Sequence, residues 1–193
     1  MLETALLLTD ADEGLELTRE DFGEAEFDAR FRFERVEGRL VVMAPSGIDH
    51  HISSEPIRDG LVAYKLSHPK IVEYVFQESW TAVEEDADRI ADLAVFLRTK
   101  TPRPRFPHWV PDIVFEIVSA GWENRRRDYE EKRSEYERLG VREYVIVDRF
   151  DHFVTVLTLT DGHYAEQRFG PNDSYTSPQL PGLSIPLQDV IGA

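Results

Sequence analysis

The chain has 193 residues and a formal net charge of −15, from 37 acids against 22 Lys and Arg, which suits one soluble globular domain and argues against polyanion binding by the surface as a whole. It has no cysteine, so neither a disulfide framework nor a thiolate metal site is available, and a reducing cytoplasm is the expected setting. Its apolar runs are strand-sized, far short of the roughly 20 residues a membrane span needs, and the apolar patch in residues 1–10 lacks the basic flank of a secretory signal.

Taken in order, Thr18-Arg19-Glu20-Asp21 reads as a helix start, with Thr18 as N-cap and acids in the first turn, and the helix is expected to reach about Ala29. Phe31 to Met43 alternates as two strands around Glu37-Gly38, a hairpin pattern. Asp49 is placed to cap a helix running to about Leu66, with Pro56 a weakness unless it lies in the first turns or kinks the helix. Strands are expected at 71–77, 80–84 and 90–97. A Pro/Arg-rich loop follows from Thr101 to His108.

Residues 111–119, Pro-Asp-Ile-Val-Phe-Glu-Ile-Val-Ser, read as a central strand covered on both sides. Asp112, Val114, Glu116 and Val118 share one face; Ile113, Phe115 and Ile117 share the other. A carboxylate in such a row is costly unless something pairs with it. The next element, a helix from about Asn124 to Leu139, gathers Tyr129, Tyr136 and Leu139 in one sector at about 100° per residue. Lys132 projects into that sector, either snorkelling with its ammonium in water or reaching a buried acid. Arg127, Glu131, Glu135 and Arg138 fall mostly elsewhere. Gly140 ends the helix, and 143–148 is the next strand. His152–Thr160 and His163–Phe169 then flank Asp161-Gly162, a strong hairpin turn. The Pro/Gly-rich tail from Pro171 is expected to pack on the edge of the domain.

The sum is an α/β or α+β single domain, a mixed sheet flanked by helices. It divides into an N-terminal helix and hairpin (18–44), a core (about 49–148) and a C-terminal hairpin and tail (149–193). Two basic stretches, Arg98, Lys100, Arg103 and Arg105, and Arg125-Arg126-Arg127, are either local phosphate strips or solvated faces.

A second acid sits in a buried-looking strand: Asp92 shares a face with Ile90, Ala94 and Phe96. Asp92 and Glu116 from neighbouring strands, with Lys132 from a helix, are what a phosphodiester hydrolysis assisted by a hard cation requires. Oxygen ligands suit Mg²⁺, which binds through one or two carboxylates and keeps several waters. The ion stabilises charge on phosphorus and acidifies water, while a lysine orients that water or offsets developing charge.

The string Pro111-Asp112-x-x-x-Glu116-x-x-Ser119, then Asp128, Lys132 and Tyr136 at four-residue steps, then Gly140-Val141-x-Glu143-Tyr144 and Asp148, resembles the Uma-two family of putative restriction endonucleases, of the PD-(D/E)XK nuclease superfamily. The likeness extends more loosely to the Glu34-containing hairpin with Gly38, to Met43 and Pro45, to a following histidine (His50 rather than His51), to the Asp92 strand, and to the closing Leu180-Pro181-Gly182-Leu183. The resemblance implies a restriction-endonuclease-like PD-(D/E)XK core. It also implies that Asp92 and Glu116 are the metal ligands and that Glu34 is an additional acid reaching the metal through water. The superfamily's usual lysine two residues after the second acid is replaced by Val118, and Lys132 is its implied substitute. Two further departures are Ala91, where proline usually precedes the first acid, and Val145, where tryptophan often follows the tyrosine. Neither removes an implied ligand.

Asp112 is either a further ligand or structural, His50 and His51 read as helix-start or packing residues, and Arg89 and Gln77 are candidates for the site's surroundings. Three functional readings follow. The first is a Mg²⁺-dependent endonuclease acting on DNA, with Mn²⁺ able to substitute, as a homodimer if both strands are cut. The second is a non-catalytic module that binds nucleic acid or protein in the same cleft. In the third, the acids are structural and Asp128–Lys132 is an ordinary i,i+4 helix pair.

Overall fold

The computed structural model describes residues 6–192; of the opening apolar patch, residues 1–5 lie outside the described residues. A short strand β1 (Leu7–Leu8) pairs in parallel with β2 (Glu26–Phe27). Between them lies α1 (Arg19–Glu24), capped reciprocally by Thr18 and Asp21. This helix stops short of Ala29 because the backbone turns extended at Ala25, where the chain enters β2. Strands β3 (Arg32–Val36) and β4 (Arg39–Met43) form the expected hairpin. Glu37 and Gly38 both have positive φ, at 50° and 73°, as a two-residue turn of type I′ demands.

Helix α2 (Ile48–Ser67) starts from Gly47 as N-cap rather than from Asp49, and Pro56 lies inside it without ending it. Strand β5 (Val72–Glu84) is continuous where two strands are expected; Glu78, at φ 48°, supplies the apparent break. It pairs with β6 (Ala87–Leu97), and β7 (Ile113–Ile117) follows after the Pro/Arg-rich loop. Helices α3 (Trp122–Arg126) and α4 (Lys132–Leu139) are joined by a wide helical turn over 127–131. Strand β8 (Glu143–Asp148) runs parallel to β7, and β9 (Phe153–Thr160) and β10 (His163–Phe169) close the sheet as a hairpin.

The result is one eight-stranded mixed sheet in the order β10-β9-β8-β7-β6-β3-β4, with β5 on the outer side of β6. Both faces of β7 are covered, as its unbroken hydrophobicity requires. Ile113, Phe115 and Ile117 pack under α2 residues Ile57, Leu61 and Tyr64. Val114 and Val118 pack against Tyr136 of α4 and Tyr144 of β8. The tail does not sit on the edge. It forms β11 (Ser174–Ser177), β12 (Leu180–Pro186) and α5 (Gln188–Ile191), which bury Tyr175, Leu180, Ile185 and Val190 in the same core as α2. Those apolar side chains, spaced among prolines and glycines, have a better partner in a sheet face than in an edge. No described helix is long and apolar enough to cross a membrane.

Phe115 is the centre of this face, 1% exposed and edge-on to Tyr175 at 5.2 Å. Phe115→Ala is expected to lower stability by about 3–5 kcal/mol through lost burial and a residual cavity. Urea unfolding followed by circular dichroism measures this; a loss under 1 kcal/mol would mean that the tail does not pack on β7.

Candidate active site

The site exists because β6 shares one of its edges between two partners. Near its start it pairs with β3 (Arg35 opposite Asp88), and farther along with β7 (Leu93 opposite Phe115, Ala94 opposite Val114, Val95 opposite Ile113). Between these ladders the strands diverge, and buried backbone groups that lose a ladder partner must find another. Charged side chains supply it. Glu34 accepts the Ile90 N–H at 3.0 Å, Lys132 Nζ donates to the Ile90 carbonyl at 3.1 Å, and Asp92 accepts the Ile117 N–H at 2.8 Å.

The same groups pair with one another. Lys132 Nζ lies 2.9 Å from Glu116 Oε1 and 3.1 Å from Glu34 Oε1, and the Tyr136 hydroxyl donates to Glu116 at 3.2 Å. Behind them Arg89 holds both Glu135 oxygens at 2.7 Å and Glu34 Oε2 at 3.0 Å. Asp92 receives His50 Nε2 at 3.0 Å and Arg32 at 3.1 Å. Lys132 is only 3% exposed and Arg89 1%, so the network is largely buried and its charges are felt strongly.

The environment separates the acids. Burial opposes ionisation of Glu34, but the Lys132 and Arg89 charges prevail and bring its carboxyl down to about 2. Burial likewise opposes ionisation of Asp92, yet the His50 hydrogen bond and Arg32 hold it well below the usual range. Glu116 goes the other way: burial, with Asp92 and Asp128 nearby, outweighs Lys132 and raises it well above the usual value. Burial and the Asp92 and Glu34 charges push Asp128 up to about 7 against the pull of Lys132 and Arg127. Burial disfavours the Lys132 ammonium, but Glu116, Glu34, Asp128 and Asp92 keep it charged.

These groups open onto a cleft of about 470 Å³ lined by Asp92, Glu116, Asp128, Lys132, Arg32 and Arg127, with residues 42–47 forming part of its wall. Among the described residues no three His, Cys, Asp or Glu converge as a metal cage. Asp92 and Glu116 offer oxygen donors only. That set fits a hard cation bound through two carboxylates that draws its remaining ligands from water and substrate.

The sequence-derived residues Asp92, Glu116, Lys132 and Glu34 therefore meet at one place. His50 joins them through Asp92 rather than serving only as a helix-start residue, while His51 is exposed. Arg89 lies behind the acids. Gln77 is exposed on β5 and does not line the cleft. Asp112 sits at the far end of β7, accepting the Leu97 N–H at 2.7 Å and facing Arg142 at 3.5 Å, a structural role. The Arg98–Arg105 stretch does not line the cleft either: Arg98 and Arg103 lie beside Asp112, and Arg105 beside Arg19 and Trp80. Arg32 was not singled out from the sequence, although alternation places it on the face of β3 that carries Glu34. Glu135 and Arg127, expected to point elsewhere, face Arg89 and the cleft respectively.

Residues 19–188 match the family model Uma2, described as "Putative restriction endonuclease". The chain belongs to this family. Among solved structures it is similar to one described as a putative nuclease belonging to DUF820 from Anabaena variabilis ATCC 29413, with a TM-score of 0.71 and 16% identity over 91% of this chain and 98% of that one. No curated protein matches. The Uma2 chain thus has a restriction-endonuclease-like fold of the nuclease type. Its Val118, in place of the usual motif lysine, is 1% exposed in the apolar cluster with Val114 and Tyr136.

Removing Arg89 strands Glu34 and Glu135 without their shared cation. Arg89→Met is expected to cost about 3–5 kcal/mol, as when one partner of a buried pair is deleted. Arg39→Met, at an exposed pair with Glu16, should cost less than about 1 kcal/mol. Parallel urea titrations of the two variants make the comparison, and equal losses would contradict the burial argument.

Proposed function

We propose that this protein is a Mg²⁺-dependent DNA endonuclease, with Mn²⁺ able to substitute. One observation carries the reading: a helix-borne lysine sits within hydrogen-bond distance of Glu116 and Glu34, beside Asp92, where the sheet splits. Asp92 and Glu116 would hold the cation, which supplies Lewis-acid stabilisation of a phosphoryl oxygen and a more acidic water. Asp92 is kept ionised by His50 and Arg32, ready for a positive ligand. Lys132 brings a fixed positive charge to the developing phosphorane charge, and its position costs no reorganisation because Glu34 and the Ile90 carbonyl already orient it. Glu34 is a positioning residue for Lys132, with a water-mediated approach to the cation as its further role. The N-terminal hairpin and the core both contribute to the set, while the tail covers the opposite face, so the described residues would act as one unit. A two-fold pair of chains would suit cleavage of both strands.

The formal net charge of −15 favours a second reading, a cleft that binds nucleic acid or protein without chemistry. The two differ at Glu116. Supercoiled plasmid incubated with Mg²⁺ or Mn²⁺ should be nicked by the wild type and left intact by Glu116→Gln. Lys132→Ala should abolish nicking while Mn²⁺ affinity, measured by electron paramagnetic resonance, stays within about threefold. Loss of the Mn²⁺ site in Lys132→Ala would sink the division of roles. Intact plasmid with the folded wild type would favour the binding module. Affinity for a short duplex should fall as salt rises, because phosphate contacts release counterions; a flat dependence would remove DNA as the substrate.

A further inference from the structure

The wide turn between α3 and α4 changes what faces the cleft. In a regular helix the Lys132 N–H would bond the carbonyl of Asp128. Here it bonds the carbonyl of Arg127, and the Asp128 carbonyl instead receives the buried Tyr144 hydroxyl at 2.9 Å. Residues five apart on a regular helix are separated by roughly 140° around the axis, which would send Arg127 away whenever Lys132 points in. The wide turn stacks them, so both line the cleft. Such turns recur at functional sites.

Arg127 also differs from its neighbours in its partners. Arg125 is bound to Asp148 at 2.7 Å and to Asp151, and Arg126 to Glu131 at 2.7 Å. Within the cleft Arg32 is committed to Asp92 and Ser46, and Lys132 to Glu116 and Glu34. Among the described residues Arg127 forms no ion pair, and its hydrogen-bond contact is Nη1 to Met43 Sδ at 2.9 Å. A thioether is a weak, neutral acceptor, so most of the guanidinium's planar fork of donors has no hydrogen-bond partner among the described residues. A carboxylate-lined cleft repels phosphate, and an uncommitted guanidinium at its wall is the group suited to overcome that repulsion through paired hydrogen bonds.

We propose that Arg127 is the phosphate-positioning residue of this site, gripping a non-bridging oxygen pair of the DNA strand next to Asp92 and Glu116. This rests on the nuclease reading for its substrate but is tested independently of cleavage. Binding of a fluorescein-labelled DNA duplex is measured by anisotropy between 20 and about 200 mM salt, in a Glu116→Gln background that silences cutting. Adding Arg127→Met should weaken binding about tenfold, the scale of one charge-assisted contact, and reduce the slope of log Kd against log salt by about one. Arg127→Lys should restore the slope and only part of the affinity, because it returns the charge without the fork. Arg127→Gln serves as a second neutral variant should the methionine form fold poorly.

An unchanged slope in both neutral variants, or no duplex binding at low salt, overturns the proposal. A changed slope together with a wild type that never nicks plasmid upholds Arg127 and sinks the nuclease reading. Nicking with an unchanged slope does the reverse.

Discussion

The divergence of β3 and β7 along one edge of β6 is the constraint on which the rest depends. A sheet that splits leaves backbone donors and acceptors without ladder partners in its interior, and here Glu34, Asp92 and Lys132 take their place at Ile90 and Ile117. The carboxylates are therefore part of the sheet's hydrogen bonding as well as candidates for chemistry. This explains how acids can be so deeply buried in an otherwise apolar sheet. Each satisfies a backbone group or a cation that would otherwise be orphaned, and the pairing offsets part of the desolvation cost.

Having placed acids there, the fold must balance them. Arg89, from the same stretch of β6, bridges Glu34 to Glu135 on α4, and Lys132 bridges Glu34 to Glu116. Glu34 is thus saturated and ionised, whereas Glu116 and Asp128 carry less compensation and are raised. The acids that hold their protons most readily, Glu116 and Asp128, therefore line the cleft beside the ionised Asp92, where a cation would displace those protons, and the Arg89-paired Glu34 and Glu135 lie behind.

Much of this was legible in the sequence where a regular period held. Alternation in 111–119 separated the two faces of β7 correctly, and the positive-φ pairs at Glu37-Gly38 and Asp161-Gly162 marked the hairpins. Lys132 was visible as a cation on an apolar sector. What failed were inferences at places where the local geometry departs from the regular pattern or depends on a distant partner. Arg127 falls on the wrong side of a regular wheel because the extra residue in the wide turn rotates one half of the helix against the other, and the contact that holds the turn is a tyrosine from β8, sixteen residues away from Asp128. Glu135, in the regular part of the helix, lies about 60° from Lys132, just outside the apolar sector, and its partner Arg89 comes from a distant strand. The expected gap between 77 and 80 is bridged in the structure: Glu78 takes a left-handed backbone conformation, yet pairing with β6 continues past it. His50 lies on a helix start, and nothing local signals that its ring reaches a carboxylate 42 residues downstream.

The position of the lysine follows from the same geometry. Two residues after Glu116 the strand offers Val118, whose side chain is enclosed by Tyr136 and Tyr144 beneath the helix. A lysine stem fits poorly in that cluster, and its ammonium would have to find its way out between packed rings. The helix above supplies the cation instead: Lys132 donates to Glu116, and the Tyr136 hydroxyl one turn later donates to the same Glu116 oxygen. A cation carried on the helix leaves the strand to packing and makes the helix responsible for aiming the charged cluster at the cleft. That dependence gives the wide turn its importance, because one helical segment must now aim Arg127, Asp128 and Lys132 into the cleft while burying Tyr136 in the core.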